Sequence, residues 1–301
     1  MQGMVSTTLG TGRKVFFKVY VVESKKVPNQ WKQVVGRVEH TTETSVLHKQ
    51  MKGFGPAEQT HDGEDVKWDT MTPIRHRETK PVLMTKGVRY SKQMSYTNQY
   101  KEIMTIQPAF VRQFMHKKNQ YVAGLDIEGF TSTTMGMNGE TLYATSHDMG
   151  GITFANRFTT PIAYGPYAQK QVLIGIRKQK SARNTPQPPT GKVLMKFPVA
   201  LEPMGIEVIN SLQVANGNDN NINDFIRNRV EMMVCDYYTS DAAYFARMMN
   251  DDEHGLGVLN QMPYDVEQLA RDKGLMDTWV ASESYERFWF DAHGTWGDPG
   301  E

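Results

Sequence analysis

A single cysteine, Cys235, stands among 301 residues, so the chain can form no internal disulfide and no cysteine-based zinc cluster. That fits a reducing compartment, or one where disulfides are not needed. Net charge is almost absent as well: 34 Lys and Arg against 33 Asp and Glu leave +1. A global positive field that would hold DNA in a histone-like way is thereby excluded, although a local basic patch is not. No apolar run approaches the ~18–20 residues of a membrane span. The stretch from Met1 to Thr8 has neither a charged n-region nor an apolar h-region, so no secretory signal is read there. The chain reads as soluble, cytoplasmic in origin and without a membrane partner. Phosphate loops of the Walker or dinucleotide type are missing, zinc-protease His spacing is missing, and no internal repeat is found.

What is present suffices for a real core. Apolar residues make up 39% of the chain and charged residues 22%, a balance that argues against long disordered stretches. The length allows one large or two ordinary domains. Methionine is frequent, with 19 copies, and is read as flexible core filler.

Residues 1–52 are uneven. Val15, Phe16, Val19, Tyr20 and Val22 suit a helix face or a strand equally, and Pro28 and Asn29 end the segment. Residues 36–52 hold too few apolar side chains for a core of their own, so they are expected to drape over something else. Residues 53–92 are predicted to form a long two-armed β-hairpin with segregated charge. The first arm carries Glu58, Asp62, Glu64, Asp65 and Asp69; the second carries Arg75, Arg77, Lys80, Lys86, Arg89 and Lys92. Opposite charges on facing arms would support pairing by ~0.2–1 kcal/mol each. Toward the tip only Trp68, Met71 and Ile74 are large and apolar. A lone two-stranded hairpin is marginal in water, so this one must lean on a body, its own or a neighbour's.

Pro108 is read as a helix break, followed by a long helix from about Gln107 with Phe110, Phe114, Tyr121 and Leu125 on one line. Gly129 and the Thr-Ser-Thr-Thr run after it stop the helix. Further on, the spacing predicts a helix over 161–183, a strand over 193–197 and a helix from Pro198 or Glu202. It predicts strands over 230–238 and 242–249 joined by a short turn, and a long aromatic strand from Trp279 to Phe290. Helices and strands mix without a strict βαβ rhythm, which indicates the α+β class.

Candidate chemistry is sparse. His147 and Asp148 lie together in a Gly-flanked loop and could serve a small hydrolase, but adjacency in sequence is not triad geometry, and a polar turn at a domain junction is the preferred reading. His61 with Asp62, or the run from Asp251 to His254, could hold a cation only weakly. Cys235 sits in an apolar strand pattern and reads as a packing residue. Arg177, Lys178, Lys180 and Arg183 make a basic helix end, which serves either the helix dipole or phosphate contacts. No cofactor is called for. Surplus extended elements without an active site make sense if neighbouring copies supply the burial, which points to assembly.

Four ordered stretches carry a resemblance. They are Leu142 to Asn156, Ile174 to Lys180 with the Pro-rich loop after it, Val230 to Asp241, and Ser282 to Phe290 with Trp296-Gly-Asp298. Together they resemble the major capsid proteins of tailed bacteriophages with the HK97-type fold, and more narrowly the Mu-like major head subunit group. The resemblance implies an N-terminal arm over 1–52 and an extended E-loop over 53–92. It implies a peripheral domain over 93–150 and 271–301 with a spine helix, and an axial domain over 151–270. It further implies hexamers and pentamers forming a virion shell around double-stranded DNA, assembled in the host cytoplasm. Partners would be other copies of the chain, with separate scaffold, portal and cement proteins and weak DNA contacts. Asp62, Glu64, Asp65, Trp68, Asp69, Arg75, Arg77 and Lys80 would make inter-subunit contacts. Arg177, Lys178, Lys180 and Arg183 would face DNA. An encapsulin-like compartment of the same fold is the alternative within this class.

Overall fold

The computed structural model describes residues 22–23, 25–52, 68, 70–91, 100–132, 136–148, 151–181, 184–185, 190–210, 226, 228–250, 255–269 and 276–300. The helix-or-strand segment before Val22 therefore lies outside the described residues, as do Asp62, Glu64, Asp65, Asp69, Arg183, His61 and the run from Asp251 to His254.

Two four-stranded sheets form the body. The first has the order β1 (Arg37–His40), β10 (Leu256–Leu269), β11 (Met276–Trp289), β4 (Val82–Ser91). Only its β1–β10 pair is parallel. The second has the order β12 (Thr295–Asp298), β9 (Tyr244–Met248), β7 (Val193–Pro198), β8 (Val230–Cys235), with β7 and β8 parallel. Two short antiparallel pairs complete the strands: β2 (Val46–Met51) with β3 (Pro73–Thr79), and β5 (His147–Asp148) with β6 (Thr153–Phe154). The helices are α1 (Gln30–Val35), α2 (Tyr100–Ile127), α3 (Pro166–Lys178) and α4 (Glu202–Asn210). This is the α+β class that the unordered mixture of elements indicates.

The long helix α2 runs along β11, and the two repeats match. Four helical residues advance about 6 Å and two strand residues about 6.7 Å. Phe114 shares a cluster with Ala281, Lys118 pairs with Glu283, and the Tyr121 and Tyr285 rings meet edge to face at 5.7 Å. Arg287 then reaches the Tyr121 carbonyl at 2.5 Å and Glu128 at 2.7 Å. Its path lies against Gly124, where a Cβ would stand 2.1 Å from Arg287 Nη1. Residues of α3 and α4 pack with the second sheet around Val172, Ile176, Phe197 and Val208. A larger cluster joins Trp31, Val34, Leu125, Leu194, Phe245, Val258 and Trp289, so both sheets share one core.

Several expectations are corrected. Pro108 does not break the helix; it lies inside α2. Its missing N–H costs about 3 kcal/mol, which the burial of Phe110, Val111, Phe114 and Met115 just beyond it can offset. Residues 36–52 do not merely drape over something else; they hold β1 and β2, and the segment just before them enters the core. Val27, Trp31, Val34 and Val35 are buried, and β1 adds a strand to the first sheet. The described strand partners of the basic second arm lie elsewhere, and the acidic stretch before it lies outside the described residues. The basic arm's first half pairs with β2 and its second half with β11, because the alternating residues of 46–51 and 276–289 offer real strand partners. Strands β8 and β9 are consecutive but not adjacent, since β7 lies between them. Strand pairing also links the stretch before residue 270 to the one after it: β10 pairs with β11, and β12 pairs with β9.

Candidate functional site

The ribbon of β2 and β3 buries polar side chains where an ordinary hairpin on a core buries apolar ones. Residues alternate in and out with period two. Buried on one face are His48, Gln50, Arg75 and Thr79, all polar. Exposed on the other are Leu47 and Met51, and beyond the strand ends Met71 and Trp68, the last 89% exposed. Exposed Val82 and Leu83 follow at the start of β4. The outward face of the ribbon thus carries exposed Leu47 and Met51 beside exposed Lys49, His76 and Glu78.

The polar face is held by specific contacts. Arg75 pairs with Glu140 at 2.8 Å, and Glu140 also meets His147 Nδ1 at 3.2 Å. His48 stacks on Phe288 with centroids 4.1 Å apart. Burial pushes the His48 pKa down, against the pull of Glu39. Burial also lowers the Arg77 pKa and raises that of Glu286, the acid nearest it in effect. Even so, His48 Nε2, Gln50 Oε1, Arg75 Nη2, Arg77 Nη1 and Thr79 Oγ1 are buried without a hydrogen-bond partner among the described residues. Of the sequence-derived contact residues, Arg75 is spent on its own chain, while Trp68 and Lys80 lie at the surface. Lys80 pairs with Glu78 at 3.2 Å.

His147 and Asp148 do not form a catalytic pair. The imidazole is fully buried, stacked on Phe154, with Nε2 3.1 Å from both the Leu142 carbonyl and Asn156 Oδ1. Burial holds its pKa below the usual histidine value, and Glu140 opposes this only in part. Asp148 is exposed, and its carboxylate accepts the Gly151 N–H at 2.9 Å. Cys235 is buried and its thiol is pushed up to about 11, which suits packing rather than nucleophilic attack. Among the described residues no cluster of His, Cys, Asp or Glu could hold a metal, and no helix is long and apolar enough to cross a membrane.

A second buried polar group ties the long helix α2 to the second sheet, and nothing in the sequence pattern marks it. Lys196 on β7 meets both Asp126 oxygens at 2.7 and 2.6 Å and the Val34 carbonyl at 3.3 Å. Tyr143 donates to Asp126 at 2.6 Å, and Tyr238 donates to its other oxygen. Burial pushes the Lys196 pKa down while Asp126 pulls it up; both tyrosines are raised, first by burial and then by the Asp126 charge. Two carboxylate oxygens with four donor contacts make a closed arrangement.

The basic helix end is present at the C-terminus of α3. Arg177, Lys178 and Lys180 are exposed, and Lys180 Nζ donates to Asn184 at 2.8 Å. The sequence pattern gives no sign of Arg229. It lies just before β8 and meets Arg177 across a pocket also lined by Leu173, Gly191 and Val193.

Solved structures with the same arrangement are shell proteins by their descriptions. The virus-like particle from Pyrococcus furiosus aligns with 94% of this chain and 97% of its own at 8% identity, with a TM-score of 0.52. The holo-SrpI encapsulin complex from Synechococcus elongatus PCC 7942 aligns with 91% of this chain and 88% of its own at 12% identity, TM-score 0.54. The capsid of bacteriophage JBD30, decorated with minor capsid protein trimers, aligns with 71% of this chain and 92% of its own at 13% identity, TM-score 0.53. No protein-family profile matches the chain, and no curated protein matches it in sequence. At these identities the likeness is one of fold: a mixed helix-and-strand arrangement of the HK97-like capsid and encapsulin kind.

Proposed function

We propose that the chain is a structural shell protein that self-assembles, through hexamers and pentamers, into the icosahedral head of a Mu-like tailed phage enclosing double-stranded DNA. The carrying observation is a ribbon that buries polar side chains and leaves large apolar ones exposed. Leu47, Met51, Trp68 and Met71 face outward, and exposed apolar surface of this kind marks a protein contact. In this reading the ribbon is the E-loop, α2 is the spine helix, and the outward face lies on an adjacent copy. Among the described residues, Trp68 and Lys80 are the contact residues that remain available at the surface. Scaffold, portal and cement proteins would be separate partners, and assembly would take place in the host cytoplasm.

Electron microscopy of the full-length chain, expressed alone and with candidate scaffold proteins, tests this proposal. Closed icosahedral particles are expected; monomers under every condition would overturn it. An encapsulin-like compartment is the second reading, favoured by the likeness to the SrpI encapsulin at a TM-score of 0.54. The contents of purified particles separate the two. Packaged nucleic acid supports the phage head, and a single enclosed protein cargo supports the compartment.

A further inference from the structure

We propose that the pocket between the C-terminal turn of α3 and the start of β7 binds a phosphate-type oxyanion, with Arg177 and Arg229 as its two guanidinium ligands. The cavity measures about 170 Å³ and is lined by Leu173, Arg177, Gly191, Val193 and Arg229. That is room for a phosphate group and part of whatever carries it. Two arginines from distant parts of the chain meet at one small opening, and planar guanidinium forks match the oxygens of a phosphate.

The frame around the pocket is fixed before any ligand arrives. Leu173 stands one helical turn before Arg177, and with Val172 and Ile176 it is buried in the second core. The Val193 N–H donates to the Arg229 carbonyl at 2.8 Å, and the Arg229 N–H donates to the Ile226 carbonyl at 3.1 Å. Leu173 and Val193 give the cavity an apolar lining, which keeps water from one side and strengthens a charged hydrogen bond on the other. The acid nearest in sequence to Arg229, Glu231, is already taken by Lys192 at 3.0 Å. Arg177 makes no side-chain hydrogen bond or ion pair among the described residues. Arg229 has a contact of its own, but a guanidinium carries five N–H donors and can serve two acceptors. The partial negative charge at the C-terminus of α3 works against an anion, so one arginine alone would not suffice.

A phosphodiester of nucleic acid and a free phosphate present the same chemistry, and the test separates them. The inference concerns the single subunit and stands whether or not the chain forms shells. Orthophosphate binding by phosphorus NMR, and binding of a labelled oligothymidylate by fluorescence anisotropy, would be measured on the full-length chain. The wild type is compared with Arg177→Ala/Arg229→Ala and with Lys178→Ala/Lys180→Ala. The double arginine variant should lose at least ten-fold in affinity for orthophosphate, and orthophosphate should compete with the oligonucleotide. The lysine variant should leave orthophosphate binding unchanged. If the oligonucleotide binds more than ten-fold tighter than orthophosphate, and its salt slope falls by about 0.7 for each phosphate that the variant no longer neutralises, nucleic acid is the source. Equal affinity points to free phosphate. Should the alanine pair fail to fold, Arg177→Lys/Arg229→Lys keeps the charge but not the fork, and a partial loss is expected. No orthophosphate binding by the wild type, or binding that survives removal of both arginines, overturns the proposal.

Discussion

Among the regions of the described chain that bury charge, two do so in opposite ways. At the junction of α2 with the second sheet, Asp126 and Lys196 are fully enclosed, and the carboxylate is matched by the Tyr143 and Tyr238 hydroxyls inside the main core. At the ribbon, Arg75, His48 and Gln50 are also buried, but several of their polar atoms lack partners among the described residues and the apolar side chains face outward. The junction is finished within one chain. The ribbon reaches a sensible polarity only when something covers Leu47, Met51 and Trp68. A closed polar network fixes the relation between a helix and a sheet, whereas a ribbon held by a few ion pairs can adjust as its other face is buried.

The largest expected effect falls on the junction. Lys196→Met leaves Asp126 buried without its counter-charge and should cost about 3–5 kcal/mol in urea unfolding. Pairing it with Asp126→Leu should recover a substantial part, because no orphan charge remains. A loss no greater than for an ordinary surface change would erase the contrast between the two regions.

Arg75→Ala should cost less, about 1–3 kcal/mol, since its partner Glu140 is 35% exposed and water can replace part of the contact. Faster amide exchange should then be confined to β2 and β3. Slower or unchanged exchange there would mean that Arg75 does not tether the ribbon.

His147 gives a pH-dependent test. Its folded pKa is lowered from 6.5 by burial. The unfolded chain therefore takes up a proton first, and this contribution to stability is lost as pH falls below about 6.5. His293 acts in the opposite sense. Burial alone would lower it, but Asp291 at 2.8 Å raises it on balance. Its contribution is full below the unfolded value and is lost as pH rises through the raised one. Unfolding from pH 5 to 8 should show a shallower acid-side loss in His147→Gln than in the wild type. Identical profiles would place the acid sensitivity elsewhere.

The smallest effect on stability is expected at the tip. Trp68→Ser should change the unfolding free energy by no more than about 0.5 kcal/mol, because the ring is 89% exposed. A melting temperature lowered by several degrees would show that the ring packs on its own chain.

Much of the architecture could be read from periodicity. The apolar faces of α3, α4 and the later turns of α2 repeat at helical spacing, and β7 and β11 are rich in strand-forming residues. Strand β10 is hidden because Pro263 interrupts its pattern. The structure places that proline between the register shifts at Met262 and Asp265, where a missing N–H is tolerated. Pro108 misleads in the opposite direction, since tertiary burial overrides a local preference. The partners of the charge-segregated arms are not legible, because sequence shows the sign of each arm but not which strand lies beside it. The junction between Asp126 and Lys196, and the meeting of Arg177 with Arg229, join residues far apart in the chain, and spacing carries no signal for such pairs. The exposed apolar set of the ribbon is half visible in Trp68 and Met71; Leu47 and Met51 join it only once the true partner strand is known.

Sedimentation velocity of the full-length chain beside Leu47→Ser/Met51→Ser/Trp68→Ser tests the central claim most directly. The wild type is expected to sediment as capsomer-sized or closed-shell species and the triple variant as a folded monomer. A monomeric wild type, or a variant with the same size distribution as the wild type, would contradict it.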